Sequence, residues 1–210
     1  MRSYSINIIM ATFLRDQNLI FIHIPKNGGT SVSHWLRENL GGEKGTKKHS
    51  GMMHLAEEWP DVVDPTTFAI IRNPWDRMIS LYHFQGRKLQ SKLDRNKGKG
   101  DFRSKYEEEM KYWNEGFESW LINCKDNGTY WFTYSYNQVV WIDPNPTYIL
   151  RFETLENDFK VIQDITKCYE PLPITNSTEH KHYSEYYNVK TKDLVAEIFK
   201  DDITRFNYEF

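Results

Sequence analysis

Apolar runs broken by proline and glycine divide much of the chain into strand–turn–helix units. Leu19 to Ile24 (LIFIHI) is a short β-branched and aromatic run bounded by Asn18 and Pro25, which predicts a buried strand. Pro25 to Gly29 interrupt it, and Val32, Trp35, Leu36 and Leu40 then recur at helical spacing until Gly41 and Gly42 stop them. A second unit opens with Phe68-Ala69-Ile70-Ile71 and closes at Arg72-Asn73-Pro74. There Asn73 suits a helix cap and Pro74 the first helical position, with Met78, Ile79, Leu81 and Tyr82 carrying the helix on. A third unit runs from Tyr148 to Phe152 and into a helical stretch from Leu155 to about Cys168. Three such units predict an α/β fold, three-layered, with a central parallel sheet and flanking helices. Tyr106, Met110, Trp113, Phe117, Trp120 and Leu121 recur at intervals of three and four and predict one amphipathic helix. Val195, Ile198, Phe199, Ile203 and Phe206 predict a closing helix packed on the sheet.

Composition narrows this picture. The 210 residues, 39% of them hydrophobic, suffice for one domain spanning 1–210 and exclude wholesale disorder. Residues 1–18 are expected as an N-terminal extension. Twenty-seven Lys and Arg against 29 Asp and Glu give a net charge of −2, which argues against a nucleic-acid partner. No stretch approaches the roughly 18 apolar residues a spanning helix needs, and the short run before Arg15 lacks a small-residue cleavage site. No signal peptide, no membrane partner and a cytoplasmic location are therefore expected. The two cysteines, Cys124 and Cys168, are expected as buried thiols of a reducing compartment. Residues 86–105 hold eight Lys or Arg against two Asp, with Gly98 and Gly100 among them. A mobile, solvated basic loop is the first reading, and an acceptor-side patch for an anionic glycan the alternative. Oligomeric state is left open.

The chemistry concentrates at two strand-to-helix junctions. In Pro25-Lys26-Asn27-Gly28-Gly29-Thr30-Ser31, two glycines let the backbone pass close to an anion, and the first helical amides point at it. Lys26 adds a full charge, and the Thr30 and Ser31 hydroxyls add donors. The lysine precedes the glycines, so this is not a Walker A loop. In Arg72-Asn73-Pro74-Trp75-Asp76-Arg77-Met78-Ile79-Ser80, Arg72 ends the strand at the carboxyl edge where open parallel sheets bind ligands, and Ser80 follows two helical turns later. A guanidinium with a hydroxyl suits a second phosphate. Arg77 reads as a partner for Asp76 or for a surface carboxylate.

Together the motifs resemble the sulfotransferases that use 3′-phosphoadenosine 5′-phosphosulfate (PAPS). FIHIPKNGGTS resembles their 5′-phosphosulfate loop and IIRNPWDRMISLY their 3′-phosphate motif. The branch most resembled is the carbohydrate type related to heparan sulfate 2-O-sulfotransferases and small bacterial and viral homologues. Weaker likeness lies in LRFETLENDF, in HYSEYYN and in DITRFNYEF. The resemblance implies a P-loop-like sulfotransferase fold and sulfuryl transfer from PAPS to a hydroxyl or amine of an acceptor, a carbohydrate or other small hydroxylated molecule, leaving 3′,5′-bisphosphate (PAP). By the same resemblance Lys26 meets the leaving oxygen, the loop from Asn27 to Ser31 grips the 5′ side, and Arg72 and Ser80 bind the 3′-phosphate.

An attacking hydroxyl also benefits from a base, and histidine suits neutral pH. Relatives carry a histidine between the two motifs, which points to His49 in Lys47-Lys48-His49-Ser50, with His54 next. His180 and His182, in a polar C-terminal loop, and Glu57, Glu58 or Glu153 stay open as alternatives. His23 reads as a core histidine, and His34 and His83 as packing or surface groups. No zinc-like spacing and no H-E-x-x-H occurs, so no metal is expected. Two other functions stay in view: a nucleotide-phosphate kinase or hydrolase on a related fold, and a nucleotide-binding protein without catalysis.

Overall fold

The computed structural model describes residues 11–46, 51–95, 100–127, 136–173 and 180–210. In chain order they form β1 (Thr12–Leu14), β2 (Leu19–Ile22), α1 (Gly29–Leu40), β3 (Glu43–Lys44), a 3₁₀ turn at Met52–His54, and α2 (Leu55–Glu58). There follow β4 (Thr66–Ile71), α3 (Pro74–Arg95), α4 (Gly100–Asn114), α5 (Phe117–Asn127) and a 3₁₀ turn at Gln138–Ile142. The chain closes with β5 (Tyr148–Arg151), a 3₁₀ turn at Phe152–Thr154, α6 (Leu155–Asp158), α7 (Lys160–Thr166), a 3₁₀ turn at Tyr183–Tyr186, α8 (Val189–Ile198) and α9 (Lys200–Phe206). These sort into two compact units, Met1–Arg72 with Gln138–Ser177 and Asn73–Asn137 with Thr178–Phe210.

The first unit carries a five-stranded sheet in the order β3-β1-β2-β4-β5. β2, β4 and β5 run parallel, with Phe21 opposite Phe68 and Phe68 opposite Tyr148. The three strands expected from the apolar runs are thus parallel neighbours, but the sheet is mixed. β1 pairs antiparallel with β2 and β3 antiparallel with β1. β1 falls inside the segment expected as an extension, and at three residues it is too short to show a period. Asn18, at φ 46°, closes the turn between β1 and β2. Exposed Arg15 joins the end of that hairpin to Glu43 and Asp61 at 2.7 and 2.8 Å.

α1 turns Val32, Trp35 and Leu36 onto the sheet, where they meet Phe21, Phe68, Ile70 and Leu150 in one buried cluster with Phe159 and Ile162. Trp35 stands edge-on to Phe159 at 5.0 Å, and its indole N–H donates to the Glu170 carbonyl at 2.8 Å. That pairing satisfies the one polar atom of an otherwise apolar side chain. Gly41, at φ 66°, ends the helix.

In the second unit Asn73 Oδ1 accepts from the Trp75 amide at 3.0 Å, and Pro74 is the first residue of α3. α3 continues to Arg95, well into the basic segment expected as a loop. Residues 87–95 are mostly good helix formers, with Gln90 bonded to Asp94 and Arg95 to Ser91 one turn apart. The single amphipathic helix expected from Tyr106 to Leu121 is two helices, because Gly116, at φ 112°, breaks the chain between α4 and α5. The closing helix likewise divides at Phe199 into α8 and α9. A capping box between Asn188 and Thr191 starts α8.

Tyr82 is the hub of this unit. Trp113 stacks on it at 5.3 Å, and Trp120 and Phe117 meet it edge-on at 5.3 and 5.7 Å. The Tyr82 hydroxyl donates to the Trp113 carbonyl, and the Trp113 indole to the Tyr82 carbonyl, both at 3.0 Å. Arg77, expected as a partner for Asp76 or for a surface carboxylate, is buried. It donates to the Tyr136 carbonyl at 3.0 Å and lies over the Phe199 ring. Asp202 is fully buried.

Candidate active site

The loop between β2 and α1 is shaped by three residues of unusual backbone or packing. Lys26 adopts φ 71°, a left-handed conformation costly for a residue with a Cβ, and Gly28 adopts φ 76° without that cost. A Cβ on Gly28 would press on the Phe152 ring at 3.0 Å, and a Cβ on Gly29 would enter the His23 ring. His23 itself is buried, with Nδ1 3.3 Å from Ser33 Oγ, as befits a core histidine. Two aromatic walls thus require both glycines.

Gly28 caps α1 with no side-chain hydrogen bond, and no acidic residue occupies the first turn. The cap residue therefore brings no side chain to the positive end of the helix or to the amides of Gly29 and Thr30. Thr30 is exposed and Ser31 buried at the same turn. Lys26 is half-buried beside them.

Asn27 is held from within the protein. Its side chain is 1% exposed and turns into the protein, donating from Nδ2 to the Ile70 carbonyl and to Gln138 Oε1, each at 2.6 Å. The side chain anchors the loop to the end of β4. Arg72, one residue past β4, is also buried. Its Nη1 donates to the Lys26 carbonyl at 3.0 Å, and its guanidinium lies 4.0 Å over the Phe152 ring. The structure thus brings Lys26, Asn27, Gly28, Gly29, Thr30, Ser31 and Arg72 together within the first unit. Main-chain donors, an ammonium and a guanidinium around glycines that admit no side chain fit a strongly anionic ligand such as a nucleotide phosphosulfate. Ser80 belongs to the second unit, half-buried on α3.

The candidates for a base are scattered. His49 lies outside the described residues. His54 is exposed at the end of the 3₁₀ turn, and Glu57 and Glu153 are exposed as well. Glu58 accepts from the Thr46 amide and, at 2.8 Å, from the Thr46 hydroxyl. In the second unit His182 Nδ1 lies 2.8 Å from Ser184 Oγ, and the His180 ring stacks on His83 at 4.9 Å. His83 Nε2 lies 3.0 Å from the Tyr186 hydroxyl, and burial, with the nearby His180 and Arg87 charges, holds its pKa below the ordinary 6.5.

Two residues of this site carry no motif. Phe152 lines Gly28 and supports Arg72, although it sits in a stretch whose likeness to relatives is weak. Gln138 lies 111 residues from Asn27 and 66 from Arg72, so no local pattern places it. Among the described residues no group of three or more His, Cys, Asp or Glu is arranged to hold a metal ion, and no helix is long and apolar enough to cross a membrane. A family model described as the sulfotransferase family matches residues 10–209. No curated protein and no solved structure matches the chain.

Proposed function

Because the chain belongs to the sulfotransferase family, with its P-loop-like fold, we propose that it transfers a sulfuryl group from PAPS to a hydroxyl of a carbohydrate acceptor and releases PAP. The observation that carries this reading is the bond from Arg72 Nη1 to the Lys26 carbonyl, which ties the junction arginine of one motif to the loop of the other. The likeness of both motifs to carbohydrate-type enzymes supports the choice of acceptor.

PAPS supplies the activated sulfuryl group; positioning and charge stabilisation fall to the protein. The Gly29 and Thr30 amides, with the Thr30 and Ser31 hydroxyls, hold the 5′-phosphate at the positive end of α1. Lys26 offsets the charge that grows on the leaving phosphate oxygen. The resemblance of the second motif assigns the 3′-phosphate to Arg72 and Ser80. His49 accepts the acceptor's proton while the acceptor oxygen bonds to sulfur and the bond from sulfur to the phosphate oxygen breaks.

Calorimetric titration tests the donor. PAP should bind about 10- to 100-fold more tightly than ADP without magnesium, since the 3′-phosphate adds charge-assisted hydrogen bonds that ADP cannot make. Equal affinities would remove the role given to Arg72 and Ser80. Separately, His49→Ala should slow transfer and leave PAP binding intact; an unchanged rate moves the base elsewhere.

A further inference from the structure

We infer that Gln138 is the positioning residue of this site: one buried carboxamide fastens the anion loop and Arg72 to each other and so sets the geometry in which the donor is bound. Gln138 is fully buried in the first turn of its 3₁₀ segment. Its Nε2 donates to the Arg72 carbonyl at 2.9 Å, and its Oε1 accepts from the Arg72 amide at 2.8 Å. A side chain thereby pairs with the main chain of Arg72 as a neighbouring strand would, just beyond the last residue of β4. The same Oε1 accepts from Asn27 Nδ2 at 2.6 Å.

These partners leave no choice of orientation. Nε2 faces an acceptor and Oε1 faces two donors, so the carboxamide cannot be turned over. With Arg72 Nη1 on the Lys26 carbonyl, a closed circuit results: Lys26 to Asn27 through the chain, Asn27 to Gln138, Gln138 to Arg72, and Arg72 back to Lys26. Both sides of the circuit carry groups assigned to the donor.

Two features of the circuit point to function rather than to core stitching alone. Asn27 follows Lys26, whose left-handed backbone costs free energy and persists only where its surroundings impose it. Asn27 Oδ1 is buried and has no hydrogen-bond partner among the described residues, a second cost accepted next to the first. Both follow if Nδ2 must reach Ile70 and Gln138 to hold the loop. Small buried networks of this kind act as units, so losing one member shifts the others.

The inference rests on the PAPS reading, and its test separates the two. PAP and 5′-AMP are titrated calorimetrically against the wild type, Gln138→Met and Gln138→Glu, with thermal melting run in parallel. Gln138→Met keeps the shape and removes the bonds; folded protein should bind PAP about 10- to 100-fold more weakly, as expected for loss of buried hydrogen bonds that place charged groups. Gln138→Glu keeps both acceptor bonds and turns the donor facing the Arg72 carbonyl into a second acceptor. Its PAP affinity relative to wild type should recover as the pH is lowered from about 8 to about 6, because a buried carboxyl takes up its proton in this range and donates again. A merely structural glutamine would lower the melting temperature without this recovery. If Gln138→Met does not fold, Gln138→Glu decides. Wild-type PAP affinity in the folded variants at every pH overturns the inference and leaves the PAPS reading standing. A wild type that binds PAP no more tightly than 5′-AMP overturns the reading, and the role of Gln138 with it.

Discussion

Around Lys26 the order is carried by polar atoms, and around Tyr82 by rings. At the loop, buried carboxamides and a guanidinium hold main-chain groups in place, two residues adopt left-handed backbone, and one buried oxygen has no partner among the described residues. At the hub, Trp113, Phe117 and Trp120 surround Tyr82, and its hydroxyl and the Trp113 indole are both satisfied. Ring packing is non-directional and tolerant, whereas hydrogen-bonded circuits are directional and fail when one member is lost. The first unit therefore accepts local cost to fix the positions of donors, and the second gathers apolar burial that stabilises helices. Damage to the loop should appear as lost binding or turnover, and damage to the hub as lost stability.

The largest effect expected is at the hub. Trp120 is 2% exposed and donates to Gln85; Trp120→Ala should lower stability by about 3–5 kcal/mol in chemical denaturation. PAP affinity should persist in whatever fraction stays folded. A loss of affinity there would show that the two kinds of order are not energetically separate. Next is Lys26→Ala, expected to cut turnover by about 10²- to 10³-fold, the scale for losing one group that stabilises developing charge. Its melting temperature should hold; an unimpaired rate would remove Lys26 from the reaction. Gly29→Ala should cost about 1–3 kcal/mol, because the added methyl meets the His23 ring, and should weaken PAP binding as the loop shifts. This is the one substitution expected to move both readouts, so stability loss with untouched affinity would mean that the loop tolerates displacement.

The smallest effect is a pH dependence at the His83–His180 stack. Burial first, then the positive charges of His180 and Arg87, lowers the folded pKa of His83 below its ordinary 6.5. The unfolded chain then binds the extra proton more readily. The stability from neutral His83 is present above about pH 6.5 and is lost as the pH falls below it. Melting curves of wild type and His83→Gln, compared across this range, should converge at acid pH. Parallel curves would mean that the stack does not titrate.

Much of the site was legible before folding was considered. The glycine loop after LIFIHI, the cap at Asn73 and the junction arginine are local signals, and each occupies the element its pattern predicts. Gly116 was visible as a residue, but a stripe at intervals of three and four does not report one turn of left-handed chain. β1 and β3 are too short for any period. The inward turn of Asn27 was hidden because an asparagine before two glycines looks the same whether it faces a ligand or the core.

What the sequence determined by itself is the local order of strand, turn and helix and the charge and hydroxyl types at two junctions, since these depend on spacing within one turn or one strand. What tertiary structure decided is the mixed sheet, the burial of Arg77, and the circuit through Gln138. Those bonds join residues 46, 66 and 111 positions apart. A donor and an acceptor so distant share no periodicity. Their meeting is decided only when β4 takes its place beside β2 and brings the end of one motif against the loop of the other.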